Sequence, residues 1–410
     1  MRIPFAPRTL SFEYKDARAH ERLRFSVIAA IAILKLFNLF GGIWDIQWHV
    51  AIGRDSLFIP PHLMVMVAFV TGFSLCLGML IYETRQPQPG LQKAIRLGPL
   101  SAPPAFFGIL FGYAGALLSG GLDETWHRIF GIDASLWSPP HLAIMFFTLV
   151  VDYSLLLGLT ASARALGWNF HWRNPYFWLL ILAGAYTFEA VNFQMAEGIL
   201  VAYLAHGVGL QGLLFPIMVG ALFPMSLLLV IQLSGRFWTA ALIFLLTLCL
   251  QMTGVKIAEL GFAVLKPASH VEIYVLLNPT SVTALARQLS RQLGFHGLIG
   301  YEQAWSMALS GIPLGLVSLL HFSTWARRRL LVAAPLYSAS LVLVSFAWFQ
   351  FIPVLHSGSQ HSWVDALLGA FLAAAAGLLF GWAGFKIASF VRQPGEEKSA
   401  NGRGFGFIKP

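Results

Sequence analysis

Two short stretches concentrate the groups that can do chemistry. Residues 44–63 read WDIQWHVAIGRDSLFIPPHL, and residues 122–142 read LDETWHRIFGIDASLWSPPHL. Asp45, Trp48, His49, Gly53 and Asp55 match Asp123, Trp126, His127, Gly131 and Asp133 at one constant offset. After a one-residue gap, Pro60, Pro61, His62 and Leu63 match Pro139, Pro140, His141 and Leu142. Asp45 and His49 are four residues apart, so on a helix they share a face, and Asp123 and His127 do the same. A Pro-Pro pair opens a helix well, because the first turn has no use for the N–H that proline lacks. His62 and His141 then fall in the first turn of the next helix. With the two helices of each copy as antiparallel neighbours, Asp45, His49 and His62 converge on one point, and Asp123, His127 and His141 on another. One carboxylate and two imidazoles suit a borderline first-row ion: copper, zinc or non-haem iron. Asp55 and Asp133 can orient the ligand histidines through hydrogen bonds. Trp48 and Trp126 can pack beside them or sit at the membrane interface. A single copy would read as an interfacial hydrogen-bonding group and a helix start. Two copies that keep the carboxylate and both histidines, while the apolar residues around them drift, favour metal ligands.

The elements that must position these residues are membrane helices. The 410-residue chain is 57% hydrophobic and 11% charged, with mean hydropathy +0.70, where a soluble domain carries about 25% charged residues. The fold expected is all-α, a polytopic membrane bundle of about ten transmembrane helices, since each crossing needs about 20 apolar residues. The runs are 25–44, 61–82, 98–119, 140–161, 176–194, 198–233, 237–264, 305–322, 330–353 and 365–390. Each copy of the repeat lies between two of the first four runs, which therefore read as tandem helical hairpins duplicated in one orientation. The sixth run is too long for one straight crossing. Gly207, Gly209, Gly212 and Pro216 are expected to break it, with a short half-helix ahead of the main span. Lys256 and Glu259 in the seventh run read as a buried pair, since ionisable groups in a span usually turn to protein or water. The chain divides into a basic tail (1–24), the duplicated hairpins (25–161), the remaining bundle (162–390) with an outer amphipathic segment at 265–304, and a second tail (391–410).

The formal net charge of +9 sits in short clusters between apolar runs, which is the pattern of cytoplasmic loops and not of a nucleic-acid surface. Lysine and arginine crowd the segment before residue 25 and recur in 82–96, 162–174, 325–330 and after Lys386. This alternation puts both termini in the cytoplasm and the repeated motifs near the outer face, in what reads as a bacterial inner membrane. The two cysteines, Cys76 and Cys249, each lie in an apolar run and suggest neither a disulfide framework nor a thiolate site.

Other polar groups are weaker candidates. His356, His361 and Asp365 lie on the same side as the repeats and either complete a site or form a solvated loop. Glu189 and His206 have the spacing of Asp45 and His62, but Phe193 stands where the first histidine would be. They read equally as a decayed third copy or as chance. His20, His171 and His321 fall on the cytoplasmic side, away from the repeats, and His270 and His296 lie in the outer segment without a placement.

Asp-x3-His, then twelve residues and His, with Arg54-Asp55 and Pro-Pro-His in the later half, resembles the copper-binding stretch of the C subunit of particulate methane and ammonia monooxygenases. Here the motif occurs twice. The second copy has thirteen residues before His141 and Ile132 in place of arginine. The resemblance spans two windows, about a tenth of the chain. It implies copper as the cofactor and oxidation of a small apolar substrate by dioxygen. No cupredoxin-like domain like that of the family's partner subunit is present in this sequence, and no nucleotide-binding glycine loop, so electrons must come from a quinol or a redox partner. Three function classes follow: a copper oxygenase, a metal or proton transporter that uses the same residues in transit, and a haem protein with paired axial histidines. The last has no need of the repeated aspartates. The bilayer is the one partner composition requires; the reading also allows an oligomer.

Overall fold

The computed structural model of the chain describes residues 9–52, 56–85, 91–130, 138–204, 210–279, 284, 311, 326–350 and 362–391. Its elements are α1 (Thr9–Ala51), α2 (Pro60–Arg85), β1 (Ile95–Leu97), β2 (Leu100–Ala102), α3 (Pro104–Phe130), α4 (Pro139–Ala165), α5 (Pro175–Leu204), α6 (Leu210–Ser234), α7 (Thr239–Leu265), α8 (Val271–Leu277), α9 (Ala326–Gln350) and α10 (Trp363–Val391). The protein is an all-α membrane bundle. Among the described residues seven helices are long and apolar enough to cross a bilayer: the greater parts of α1, α6 and α10, and the whole of α2, α3, α4 and α7. Pro175–Val191 and Val332–Ala347 add two shorter apolar helices. The run expected at 305–322 lies outside the described residues apart from Gly311.

Prolines set where the helices begin. Pro60, Pro104, Pro139 and Pro175 are the first residues of α2, α3, α4 and α5, where proline's fixed φ is already helical. Two boundaries differ from the sequence reading. The third run was expected from residue 98, but Ile95–Leu97 and Leu100–Ala102 form a tight antiparallel hairpin around Gly98. Helix α3 therefore starts later and runs on past Asp123 and His127. The half-helix expected from residue 198 is instead the end of α5, which runs unbroken to Leu204, and both Pro216 and Pro224 lie inside α6. The basic tail is also not separate from the first span, because α1 starts at Thr9 and is buried from Ala17 onward at several positions.

The duplicated hairpins pack as a unit. α1 lies against α2, α3 against α4, α2 against α3, and α1 also meets α4, α5 and α7. α6, α9 and α10 pack together beyond α5. Glycines allow the helix pairs their close approach. A Cβ at Gly112 would stand 2.5 Å from Val151 Cγ2 and 2.7 Å from the Phe147 carbonyl oxygen across the α3–α4 seam. Gly112→Leu is therefore expected to pry this hairpin apart. Overpacking typically costs about 1–3 kcal/mol, and a clash with backbone puts this variant at the upper end or above. Thermal unfolding in detergent should show a clearly lowered midpoint, and an unchanged midpoint would contradict the seam.

At the end of the bundle away from the repeats, a buried polar cluster joins α1 to α2. Glu83 accepts from Arg24 Nε at 2.7 Å and from the guanidinium Nη2 at 2.7 Å, and lies 2.8 Å from His20 Nε2. Arg24 also donates to Glu21 at 2.9 Å. Gln92 bridges Glu21 and Ser162, which ties α4 into the same cluster. His20 thus serves packing and charge balance at the far end from the repeats. Lys256 and Glu259 pair at 2.6 Å, yet their side chains are 63% and 37% exposed. They are an i,i+3 surface pair and not the buried one expected, because α7 turns this face away from α1.

Candidate metal centre

The site is built at one end of the duplicated hairpins. Because α1 stays helical to Ala51 and α3 to Phe130, the Asp-x3-His spacing places each carboxylate under its histidine. α2 and α4 then return from their Pro-Pro starts. Ser138 flanks α4 in an extended conformation, and the first-turn bonds Leu63 N–H to Ile59 O and Leu142 N–H to Ser138 O hold His62 and His141 in place. Asp45 Oδ1 lies 3.5 Å from His49 Nε2 and 3.1 Å from His62 Nε2. In the second copy Asp123 Oδ1 lies 3.8 Å from His127 Nε2 and 3.3 Å from His141 Nε2. In each triad one donor atom per residue lies within 4.8 Å of the other two. Ligands bonded at about 2.0–2.2 Å to one ion stand about 3–4 Å apart, and the four carboxylate–imidazole distances fall in that range.

The donors also carry a tautomeric signal. His62 Nδ1 lies 3.0 Å from the backbone carbonyl of Ser56. A carbonyl only accepts, so Nδ1 carries a proton, and when the ring is neutral Nε2 presents its lone pair to Asp45. A lone pair against a carboxylate oxygen calls for a cation between them, a proton or a metal ion. Both ring nitrogens of His49 are buried without a hydrogen bond among the described residues, and buried polar atoms of this kind are normally satisfied. Donor type, spacing and orphaned atoms together fit a metal ion.

The two triads are neighbours. The rings of His49 and His127 are 5.9 Å apart, centroid to centroid, at an interplanar angle of 61°. His49 to His62 is 6.3 Å and His127 to His141 is 5.9 Å. Four imidazoles thus neighbour one another in succession from α2 through α1 and α3 to α4. No family model, characterised protein or solved structure matches the chain.

The triads open on a cavity of about 340 Å³ between α1, α2, α3, α4 and α5. Asp45, His49, His62, Asp123 and His141 line one end, and Lys35 and Asp152 line the other. Its walls are largely apolar, with Ile46, Val65, Met66, Phe69, Ile144 and Met145 among them.

The remaining sequence candidates divide clearly. Trp48 is buried and stacks on Phe262 at 5.9 Å, edge-on to Trp44 at 6.5 Å, so it locks the end of α1 to α7. Trp126 packs on Phe130 at 4.3 Å, one turn along its own helix. Asp365 accepts from the Ser362 backbone N–H at 2.8 Å and hydroxyl at 2.9 Å while its own N–H donates to Ser362 Oγ. That reciprocal pair caps α10. Glu189 is fully buried on α5, outside both triads, with neither carboxylate oxygen hydrogen-bonded among the described residues. Asp55, Asp133, His206, His356 and His361 lie outside the described residues.

Three contributions escaped the sequence reading. The Ser56 carbonyl that orients His62 is a backbone group and leaves no residue signal. Ser269 Oγ donates to Ala51 O at 2.7 Å and the His270 N–H to Ile52 O at 2.7 Å, so the chain after α7 caps α1 just beyond His49. Lys35 and Asp152 stand in two different apolar runs, and nothing local in the sequence marks them as partners.

Proposed function

We propose that this protein is a membrane-embedded metal enzyme, with copper as the ion, that oxidises a small apolar or lipid-soluble substrate with dioxygen. The observation that carries the reading is the juxtaposition of two Asp/His/His triads, His49 beside His127, at one end of an apolar cavity. Asp45, His49 and His62 would hold one ion, and Asp123, His127 and His141 the other. Bound copper would supply one-electron chemistry toward dioxygen. The chain's part is to hold and orient. The Ser56 carbonyl fixes the His62 tautomer, each carboxylate offsets ion charge in a water-poor setting, and the apolar walls admit a lipid-soluble molecule while excluding water. Inserting one oxygen atom into a C–H bond sends the second to water and consumes two electrons and two protons. A quinol or a protein redox partner is the source this reading requires. The resemblance to the C subunit of the copper membrane monooxygenases supports the choice of metal and reaction.

The test is turnover of copper-loaded protein in lipid nanodiscs, with a short-chain quinol as reductant, a small alkane or alkene, and isotopically labelled dioxygen. Labelled alcohol or epoxide is expected. Copper-loaded, reduced protein that yields none would refute the oxidation. A second reading, metal or proton transport through the triads, is favoured by one feature: the cavity continues inward from the triads to Lys35 and Asp152. It predicts copper or proton flux into proteoliposomes and no oxygen-dependent product.

The charge pattern of the loops puts both termini in the cytoplasm and the triads near the outer face. A Ser56→Cys variant is then expected to react with a membrane-impermeant maleimide in intact cells, since Ser56 is exposed beside the triad. Labelling only after lysis would reverse the orientation.

A further inference from the structure

We infer that the inner end of the cavity, formed by Lys35 and Asp152, is a binding site for the neutral, hydrogen-bonding head of an amphiphile whose apolar body lies along the cavity toward the two triads. Lys35 Nζ and Asp152 Oδ1 are 2.5 Å apart, and the residues are 2% and 0% exposed. Ionisable groups within a membrane span are costly and mark a functional site by default. A buried pair is also weak evidence for stability, because apolar residues of similar volume often do as well or better. Packing alone gives no reason to keep Lys35 and Asp152 here.

The pair keeps unused capacity, and that capacity borders the cavity. Lys35 contacts Asp152 and faces the Tyr186 ring at 5.6 Å, while an ammonium has three protons to give. Apart from the contact with Lys35, neither oxygen of Asp152 has a hydrogen bond among the described residues, and neither does Thr148 Oγ1. All three residues line the cavity. A hydroxyl can donate to the carboxylate and accept from the ammonium. The pair is already balanced in charge, so a neutral head fits and an anion or cation would upset it. Lys35 and Asp45 are ten residues apart on one helix, about 15 Å along its axis. The volume of about 340 Å³ is at the small end of ligand sites, enough for one slender chain. Gly42 and Gly120 keep the space open: both line the cavity, and an added Cβ would meet nothing within 4 Å at either.

The class of ligand is therefore a lipid-soluble alcohol or phenol-like molecule with one hydroxyl head. The site itself stands on the cavity; that its occupant is the molecule oxidised rests on the metal-enzyme reading. The experiment is equilibrium partitioning of labelled 1-decanol, decane and decanoate into phosphatidylcholine nanodiscs with and without the full-length protein. The wild-type chain is expected to take up about one decanol saturably, with at least tenfold preference over decane and over decanoate. Lys35→Met combined with Asp152→Leu should remove the preference while bound copper stays unchanged. Gly42→Leu, which fills the cavity without touching the ion pair, should block decanol in the same way and keeps the test decisive if the double variant does not fold. Equal uptake of decane, a preference for decanoate, or decanol binding that survives Gly42→Leu would overturn the site. Protein that binds decanol as expected but no copper would leave this site standing and remove the metal-enzyme reading instead.

Discussion

Replacing His49 with alanine is expected to abolish oxidation of an apolar substrate, and replacing His127 with alanine to do the same. Each change removes one nitrogen donor from a three-donor set. Each also leaves its neighbour imidazole intact, because His49 and His127 belong to different triads although their rings are 5.9 Å apart. Bound copper should fall by about one ion per chain in each variant. The hairpins should stay folded, at a cost on the order of 1 kcal/mol, since each histidine sits in the last turns of its helix. The outcome separates three accounts. A transporter loses copper flux and shows no oxygen-dependent product even as wild type. Histidines that only pack or hydrogen-bond leave both metal content and activity intact. Loss of activity in one variant alone, with copper lost from both, would mean that the triads do not act together.

The largest expected effect on folding lies at the other end of the bundle. Glu83→Ala should destabilise the protein by about 3–5 kcal/mol, the usual consequence of breaking a buried pair from one side. Arg24 is 1% exposed and rests on Glu83 through two hydrogen bonds, with His20 against the same carboxylate. Among the described residues, removing Glu83 leaves the guanidinium with Glu21 alone. Thermal unfolding or native-state proteolysis in detergent should show a sharp loss. Copper content of the fraction that remains folded should be unchanged, because Arg24 and Asp45 lie about 30 Å apart along α1. A Glu83→Ala protein of wild-type stability would show that the cluster is not an anchor.

The duplicated hairpins were legible because a repeat fixes both the unit and its orientation. The convergence of Asp45, His49 and His62 followed from two local rules, the i,i+4 face and the Pro-Pro helix start, and the structure places both triads in that way. The adjacency of His49 and His127 was not legible, since nothing local says how α1 and α3 stand to each other within the bundle. The pairing of Lys35 with Asp152 was hidden for the same reason. Helix ends were the weakest part of the reading. The apolar run from residue 98 contained a hairpin, because Gly98 and the Pro103–Pro104 pair interrupt the helix where hydropathy does not. Trp48, which reads either as packing beside the ligands or as an interfacial aromatic, stacks on Phe262, and Asp365 caps α10. Exposure of Lys256 and Glu259 depends on which face of α7 meets α1, which their i,i+3 spacing leaves open.

The most direct test of the paired metal centre is equilibrium dialysis of folded, metal-free protein against copper, with the bound metal counted by atomic absorption and its ligands read by electron paramagnetic resonance. About two ions per chain are expected, each with a spectrum of nitrogen and oxygen ligation. His49→Ala and His127→Ala should each lower the count to about one. A folded chain that takes up no copper, or a wild-type count that neither substitution changes, would contradict the assignment of the two triads as metal sites.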